Sequence, residues 1–149
     1  MKRKSVRIYS FTGTGSRLAL NLAEKLKQEG YVCTGYTVAR FAEDKRLQRL
    51  NDGWKQEIGA SWGEHALVFI GAAGIAIRAI APFVKDKFTD PPVIVLDEKG
   101  TFAIPLLSGH VGGGVTLAKV LAEYTGGRAV ITTATDVQKK FAADVFAME

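Results

Sequence analysis

Residues 6–38 have the sequence VRIYSFTGTGSRLALNLAEKLKQEGYVCTGYTV. Apolar and polar side chains alternate over residues 6–11, which predicts a strand, and residues 31–38 predict a second strand. Between them, TGTGS at residues 12–16 predicts a turn that leads into a helix. A strand, a helix and a second strand in this order are typical of the beginning of a parallel α/β sheet.

The helix between these two strands is predicted from its leucines. Leu18, Leu22 and Leu26 recur every fourth residue, so they lie on one face of a helix. Gly30 follows the last of them and is a typical C-terminal cap. We therefore expect a helix over residues 17–30.

The rest of the chain continues to alternate between strands and helices. Short apolar runs predict further strands at 66–72, 93–97, 101–107 and 129–134. Helical spacing predicts further helices at 74–84, 112–127 and 136–149. Pro82 should end or kink the first of these helices. Residues 39–64 are more polar, and we expect one or two short helices there that pack Trp54, Ile58 and Trp62 inward.

The predicted fold class is α/β, a three-layer α/β/α arrangement around a mostly parallel open sheet. The strands at 93–97 and 101–107 could pair as a hairpin, which would make one strand antiparallel. Open α/β sheets bind ligands at the carboxyl ends of their strands. We expect four loops to gather at that edge, namely 12–16, 71–74, 108–114 and 132–136.

The composition limits the class of protein. A chain of 149 residues, 47% of them hydrophobic, suffices for one domain with a core and is not typical of disorder. No apolar run approaches the roughly 20 residues of a membrane-spanning helix, and the basic start lacks a signal-peptide cleavage site. The single cysteine, Cys33, cannot form an internal disulfide, so we expect a cytoplasmic protein. No histidines and cysteines have metal-ligand spacing.

The formal net charge is +5, from 20 basic and 15 acidic residues. This excess suits either a solvated surface or a face that attracts a polyanion. Basic and aromatic residues do not interleave along one element, so nucleic acid is not an expected partner.

The glycines after the first strand suggest a site for a phosphate or a carboxylate. Gly13 and Gly15 begin a G-x-G-x-x-G pattern, but its last position is Leu18, and residues 33–37 contain no acid for a ribose. A tight turn that needs glycine is one alternative. The other is an anion bound by backbone N–H groups between Gly13 and Ser16.

A second glycine-rich segment, LLSGHVGGG at residues 106–114, contains Ser108 and His110. These two residues are candidates for catalysis, and His110 could instead be a structural hydrogen-bonding residue. The surrounding glycines would let a bulky ligand approach the backbone, and they are Gly109, Gly112, Gly113 and Gly114. N–H groups at the following helix start could stabilise an oxyanion. His65 has no such setting and is expected at the surface.

Candidate substrate-binding residues also follow the strand at 66–72. Gly71 and Gly74 bracket its exit, and Arg78 is the charged residue of an otherwise apolar helix. Arg78 is either an edge residue that reaches solvent or a carboxylate clamp. In the next loop Lys87 could hold an anion, and Asp90 could either contact substrate or fix a turn.

The segment ITTATD ends the last predicted strand with hydroxyl and carboxylate groups. Thr132, Thr133, Thr135 and Asp136 are candidate ligand contacts. Threonine is also a good strand former, so a purely structural role is the alternative.

Two long segments resemble the CbiG family, the cobalt-precorrin-5A hydrolases of anaerobic cobalamin (vitamin B12) biosynthesis. They are FIGAAGIAIRAIAPFVKDKFTDPPVIVLDEKGTFAIPLLSGHVGGG and VITTATDVQKKFAADVFA. The opening strand, glycine turn and helix fit the same family, so the resemblance covers essentially the whole chain. Where the family pattern continues with Ala-Asn-Glu, this chain has Gly114, Val115 and Thr116.

The resemblance implies a reaction and a substrate. The family opens a δ-lactone on a cobalt-bound corrin precursor and releases acetaldehyde. The substrate carries many carboxylates and brings its own cobalt, so we expect no cofactor or metal bound by the protein itself. The residue roles are inferred from side-chain chemistry and not from the family: we expect His110 to be the general acid or base, Arg78 and Lys87 to hold substrate carboxylates, and the threonines to line the cleft.

The family's members are usually much longer than this chain. We therefore expect residues 1–149 to be an N-terminal domain without the usual C-terminal region. That region, or a second copy of this chain, is a candidate partner. Two other hypotheses stay open: a tetrapyrrole-binding module whose chemistry the C-terminal region supplies, and a nucleotide-dependent enzyme that shares only the layout.

Overall fold

The computed structural model describes residues 4–108 and 113–132, which form a seven-stranded sheet between helices. The strands are β1 (Ser5–Ser10), β2 (Val32–Thr37), β3 (Leu47–Arg49), β4 (Ala66–Ile70), β5 (Val93–Leu96), β6 (Phe102–Leu107) and β7 (Arg128–Ala129). The α-helices are α1 (Gly13–Gln28), α2 (Trp54–Ala60), α3 (Ala73–Ile80) and α4 (Gly114–Thr125), with short 3-10 turns at Ala39–Phe41 and Ala81–Phe83. The predicted α/β class is confirmed.

The strands follow the order β3-β2-β1-β4-β5-β6-β7 across the sheet. β1 to β5 run parallel, β6 runs antiparallel to β5, and β7 runs parallel to β6. The hairpin considered for the strands at 93–97 and 101–107 is therefore present, as β5 and β6. We call the edge at which β1–β5 end the carboxyl edge, and the edge at which they begin the amino edge. Because β6 and β7 are reversed, they end at the amino edge.

The apolar core lies in two layers, one on each face of the sheet. α1 and α4 cover one face, where Leu22 and Leu121 pack with Ile8. α2 and α3 cover the other face, where Ile58 packs with Phe69. Each of these side chains is at most 1% exposed, and burial of a side chain of this size stabilises the fold by about 1.5–3 kcal/mol. None of the described helices combines the length and the hydropathy needed to cross a bilayer.

The first glycine segment belongs to a helix. The prediction of a turn over residues 12–16 is wrong, because α1 already begins at Gly13. The Thr12 hydroxyl accepts a hydrogen bond from the Gly15 N–H at 2.9 Å, which caps the helix. At the other end of α1, Gly30 has a φ of +93° and terminates the helix as predicted.

Residues 39–64 contain α2, which fits the short helix expected there, and one strand, β3, that the sequence did not predict. Ile58 is buried and Trp54 and Trp62 pack against the same layer, which confirms the expected inward side chains. β3 has only three residues, two of which are exposed. Such a strand is too short to show an alternation of apolar and polar side chains.

The strand predicted at 129–134 is observed only at its beginning, and residues 133–134 lie outside the described part. β7 has two residues, and the Val130 N–H adds one hydrogen bond to the Ala103 carbonyl at 2.9 Å. Backbone groups of alternate strand residues face the same neighbour, so Pro105 is the next β6 residue that faces β7. Proline has no N–H to donate, so the ladder between β6 and β7 ends there.

Candidate functional site

The predicted loops do not meet at one edge of the sheet. Residues 12–16 and 71–74 lie at the carboxyl edge, after β1 and β4. Ser108 follows β6 and Thr132 follows β7, and both strands run toward the amino edge. The six residues of β1 separate the two edges by roughly 17 Å. The prediction of a single site that gathers all four loops at the carboxyl edge is therefore wrong.

A crevice lies at the carboxyl edge between β1 and β4. The helix that follows β1 covers one face of the sheet and the helix that follows β4 covers the other, so the connections diverge here. Open sheets bind ligands at such topological switch points. On the α3 side, a cavity of about 450 Å³ is lined by Phe11, Val38, Trp54, Ile75 and Arg78, among others.

Arg78 lies over the first turn of α3. Its guanidinium is 3.1 Å from the position that a Cβ on Gly74 would take, so the absence of that Cβ leaves the space for Arg78. Arg78 is exposed, and every ion pair within residues 4–108 and 113–132 involves Arg46. Gly71 has a φ of +152°, which favours glycine, and it packs beside Phe11. The structure therefore brings Gly71, Gly74 and Arg78 to one side of the crevice.

The start of α1 lies at the same edge, and Thr12 accepts two of its N–H groups, that of Gly15 through its hydroxyl and that of Ser16 through its carbonyl. Ser16 donates its hydroxyl to the Gly13 carbonyl at 2.8 Å, and Gly15 is buried against the sheet. The Thr12 hydroxyl donates to Glu98 Oε2 at 2.8 Å, which holds a carboxylate beside the positive end of the helix. The glycine pattern therefore forms a self-capped helix start, and this arrangement gives no support to a dinucleotide site.

Ser108 lies at the amino edge and has a φ of +52°. Among the described residues, it is the only non-glycine residue with a positive φ. Its hydroxyl donates to the Asp90 carbonyl at 2.7 Å, and its own carbonyl accepts the Gly114 N–H at 3.1 Å. Gly113, with a φ of +86°, precedes α4 as its N-cap. A left-handed backbone costs a residue such as serine about 1–3 kcal/mol, and strain of this kind is frequent at functional sites.

The charged loop before β5 lies against Ser108. Asp90 is 5% exposed, and its carboxylate accepts hydrogen bonds from Trp62 Nε1–H and from the Lys85 N–H, both at 3.0 Å. Asp90 therefore fixes this loop, which is the second of the two roles considered for it. Lys87 lies in the same loop and is exposed.

His65, which was expected at the surface, is half-buried and lines a cavity of about 730 Å³ at the amino edge. Gly113 and Thr116 line the same cavity. Ser5 Oγ lies 2.6 Å from His65 Nδ1, and burial together with the charge of Arg7 lowers the pKa of His65, so its imidazole is mostly neutral at pH 7. The reversal of β6 is what brings Ser108 to the same edge as His65, so the predicted hairpin was the signal that could have placed Ser108 there.

Several predicted site residues lie outside the described part of the chain, and their roles stay predictions. They are Gly109, His110, Gly112, Thr133, Thr135 and Asp136, together with the helix predicted at 136–149. Thr132 is described and is exposed. Within residues 4–108 and 113–132, no group of three His, Cys, Asp or Glu side chains is placed to hold a metal ion.

A doubly wound α/β sheet with crevices at both edges places this chain in the open-sheet class of α/β domains, which generally bind ligands beside the carboxyl ends of their strands. Residues 58–136 match the family described as Cobalamin synthesis G N-terminal, and the chain belongs to this family. The resemblance to CbiG proteins is thus confirmed.

Two curated relatives and one solved structure are similar to this chain. It is 39% identical over its whole length to the cobalt-precorrin-5A hydrolase of Salmonella typhimurium, and 32% identical over 97% of its length to that of Priestia megaterium. The chain spans 41% and 39% of the lengths of these relatives. The crystal structure of a cobalamin biosynthesis protein G homolog from Sulfolobus solfataricus matches with a TM-score of 0.66 at 26% identity, over 86% of this chain and 36% of that one.

Proposed function

We propose that this chain is the N-terminal domain of a cobalt-precorrin-5A hydrolase, which opens the δ-lactone of a cobalt-corrin precursor and releases acetaldehyde. Family membership and the names of the two relatives support this activity. The observation that carries the proposal is the strained Ser108 turn, which is hydrogen-bonded to the start of α4. It lies at the same edge as the cavity of about 730 Å³, a volume typical of ligand sites.

In this proposal water opens the lactone. His110 takes a proton from the water that attacks the carbonyl carbon, and returns it to the ring oxygen when the carbon–oxygen bond breaks. Backbone N–H groups in the first turn of α4 stabilise the oxyanion. Because the N–H of Gly114 is already donated to Ser108, those of Val115 and Thr116 take this role.

Ser108 is assigned a positioning role rather than that of the nucleophile. Its hydroxyl proton is donated to a backbone carbonyl, which cannot act as a base that activates the oxygen. Lys87, exposed at the same edge, holds a carboxylate of the substrate. Arg78 lies at the opposite, carboxyl edge and is therefore not assigned a role in binding this substrate. The cobalt arrives already bound in the substrate's ring.

The test is acetaldehyde release from cobalt-precorrin-5A by this chain, alone and with the remaining region of a full-length hydrolase. His110→Ala should abolish release, whereas Lys119→Gln, on the exposed side of α4, should leave it unchanged. Full activity of His110→Ala would remove His110 from the mechanism. No release with or without the remaining region would contradict the function itself.

A second candidate is a tetrapyrrole-binding module whose chemistry is supplied by the rest of a longer protein. It is favoured by the chain spanning about 40% of its curated relatives. A spectral titration with a cobalt-corrinoid separates the two functions. Binding by the chain alone, with acetaldehyde released only after the remaining region is added, would support the module.

A further inference from the structure

The proposed reaction leaves the carboxyl-edge cavity beside Arg78 unused. This cavity has an aromatic wall, because the rings of Phe11 and Trp54 lie 5.7 Å apart at an angle of 49°. Trp54 also packs at 5.7 Å against Tyr9, which is 3% exposed. The wall is therefore supported from behind, and its Trp54 indole offers the flat apolar surface of one bicyclic ring system.

The rim of the cavity is positively charged. Arg78 and Lys55 are both exposed, and the Lys55 Nζ lies 5.6 Å from the centre of the Trp54 ring. Among the described residues that line the cavity, Asp52 is the only acidic one. Two cations thus face one carboxylate around an aromatic wall, which favours a ligand that combines an anionic group with an apolar body.

Within residues 4–108 and 113–132, no carboxylate forms an ion pair with Arg78. Its guanidinium lies over Gly74, in the first turn of α3, at the positive end of the helix dipole. That first turn contains no acidic residue, and Ala72 provides no side-chain cap. At the neighbouring helix α1, by contrast, Glu98 places a carboxylate beside the helix start. An anion between Arg78 and α3 would supply the counter-charge that α1 obtains from its own chain.

We propose that this crevice is a second ligand site, which binds a carboxylate or phosphate group against Arg78 and stacks the flat apolar body of the same ligand on Trp54. The site lies roughly 17 Å from the amino edge, so it does not depend on the proposed lactone hydrolysis. Arg78 therefore acts as the carboxylate clamp considered from the sequence, but at a site of its own.

The experiment is a titration with 2-naphthoate, followed by ¹H–¹⁵N NMR of the chain. The two tryptophans serve as reporters, because Trp54 lines the cavity and Trp62 binds Asp90 elsewhere. We expect saturable shifts of the Trp54 indole and of the Ala73–Ile75 amides, with the Trp62 indole unchanged. Naphthalene-2-carboxamide, which has the same shape without the charge, should bind about tenfold more weakly.

Variants decide whether Arg78 carries the binding. Arg78→Gln should weaken 2-naphthoate binding about tenfold, while the charge-matched control Lys119→Gln should not. Inorganic phosphate and cobyrinic acid serve as competitors, and displacement shows whether a free phosphate or a corrin carboxylate can supply the anion. Equal affinity of Arg78→Gln and the wild-type chain, or shifts that never saturate, would overturn the proposal without bearing on acetaldehyde release.

Discussion

The hydroxyl of Ser108 donates a hydrogen bond to the backbone carbonyl of Asp90 at 2.7 Å. This bond joins the end of β6 to the loop before β5, two segments separated by 18 residues in the sequence. Because Ser108 has a φ of +52°, the bond is made by a residue whose backbone is itself strained. Two substitutions separate the bond from the strain.

Ser108→Ala removes the hydrogen bond and keeps the strain, so we expect the free energy of unfolding to fall by about 1–2 kcal/mol. Ser108→Gly loses the same bond but adopts a positive φ without strain, so its loss should be about 1 kcal/mol smaller. Urea unfolding of both variants measures the difference. Equal stability of the two variants would show that the φ of Ser108 costs little.

Asp90→Asn should lower the free energy of unfolding by about 2 kcal/mol, because a buried carboxylate that accepts two N–H groups is replaced by a neutral amide. The resonance of the Trp62 indole N–H should move at the same time. Asp52→Asn, at an exposed position, is the matched control and should change the stability by less than about 0.5 kcal/mol. A stable Asp90→Asn variant would mean that the carboxylate does not fix the loop.

Thr37→Val should leave the fold as stable or raise its free energy of unfolding by about 1 kcal/mol. The Thr37 hydroxyl is buried with no hydrogen-bond partner within residues 4–108 and 113–132, and valine has nearly the same shape. Ser10→Ala is the opposite case, since the Ser10 hydroxyl donates to the Tyr36 carbonyl at 2.9 Å, and it should cost about 1 kcal/mol. Thermal unfolding of the two variants should therefore move in different directions or by clearly different amounts.

The pKa of His65 gives the fold a pH dependence. Burial lowers the pKa of His65 below its value in the unfolded chain, so protonation favours the unfolded state. Stability is therefore present above about pH 6.5 and is lost as the pH falls through the lowered pKa. We expect the free energy of unfolding to drop less between pH 7.5 and 5.5 in His65→Gln than in the wild-type chain. Aspartates such as Asp44, with a pKa of about 2, titrate below this range. An identical drop in both proteins would exclude His65 as the cause.

Local patterns in the sequence predicted most of the elements. The leucine spacing of α1 follows from side chains that face one core layer, and the continuous apolar run of β4 follows from side chains that alternate between both layers, so both patterns are visible without the fold. The edge at which Ser108 lies is different, because it depends on the direction of β6. The sequence allows a hairpin of β5 and β6 without requiring one, and it is this hairpin that places Ser108 at the amino edge. The setting of His65 depends on the pairing of β1 with β4, which places Ser5 beside it, and that pairing is not visible in the local pattern around residue 65.

β3 and β7, the two outer strands, have three and two residues. Growth of a sheet by an added strand needs a long row of unpaired N–H and C=O groups at its margin. Neither margin of the described sheet offers such a row. Pro105, which lies in β6, has no N–H to donate and so limits the length over which β7 can pair with β6. The described margins are therefore poor templates for fibre-like aggregation. They also leave two copies little described backbone through which to join their sheets.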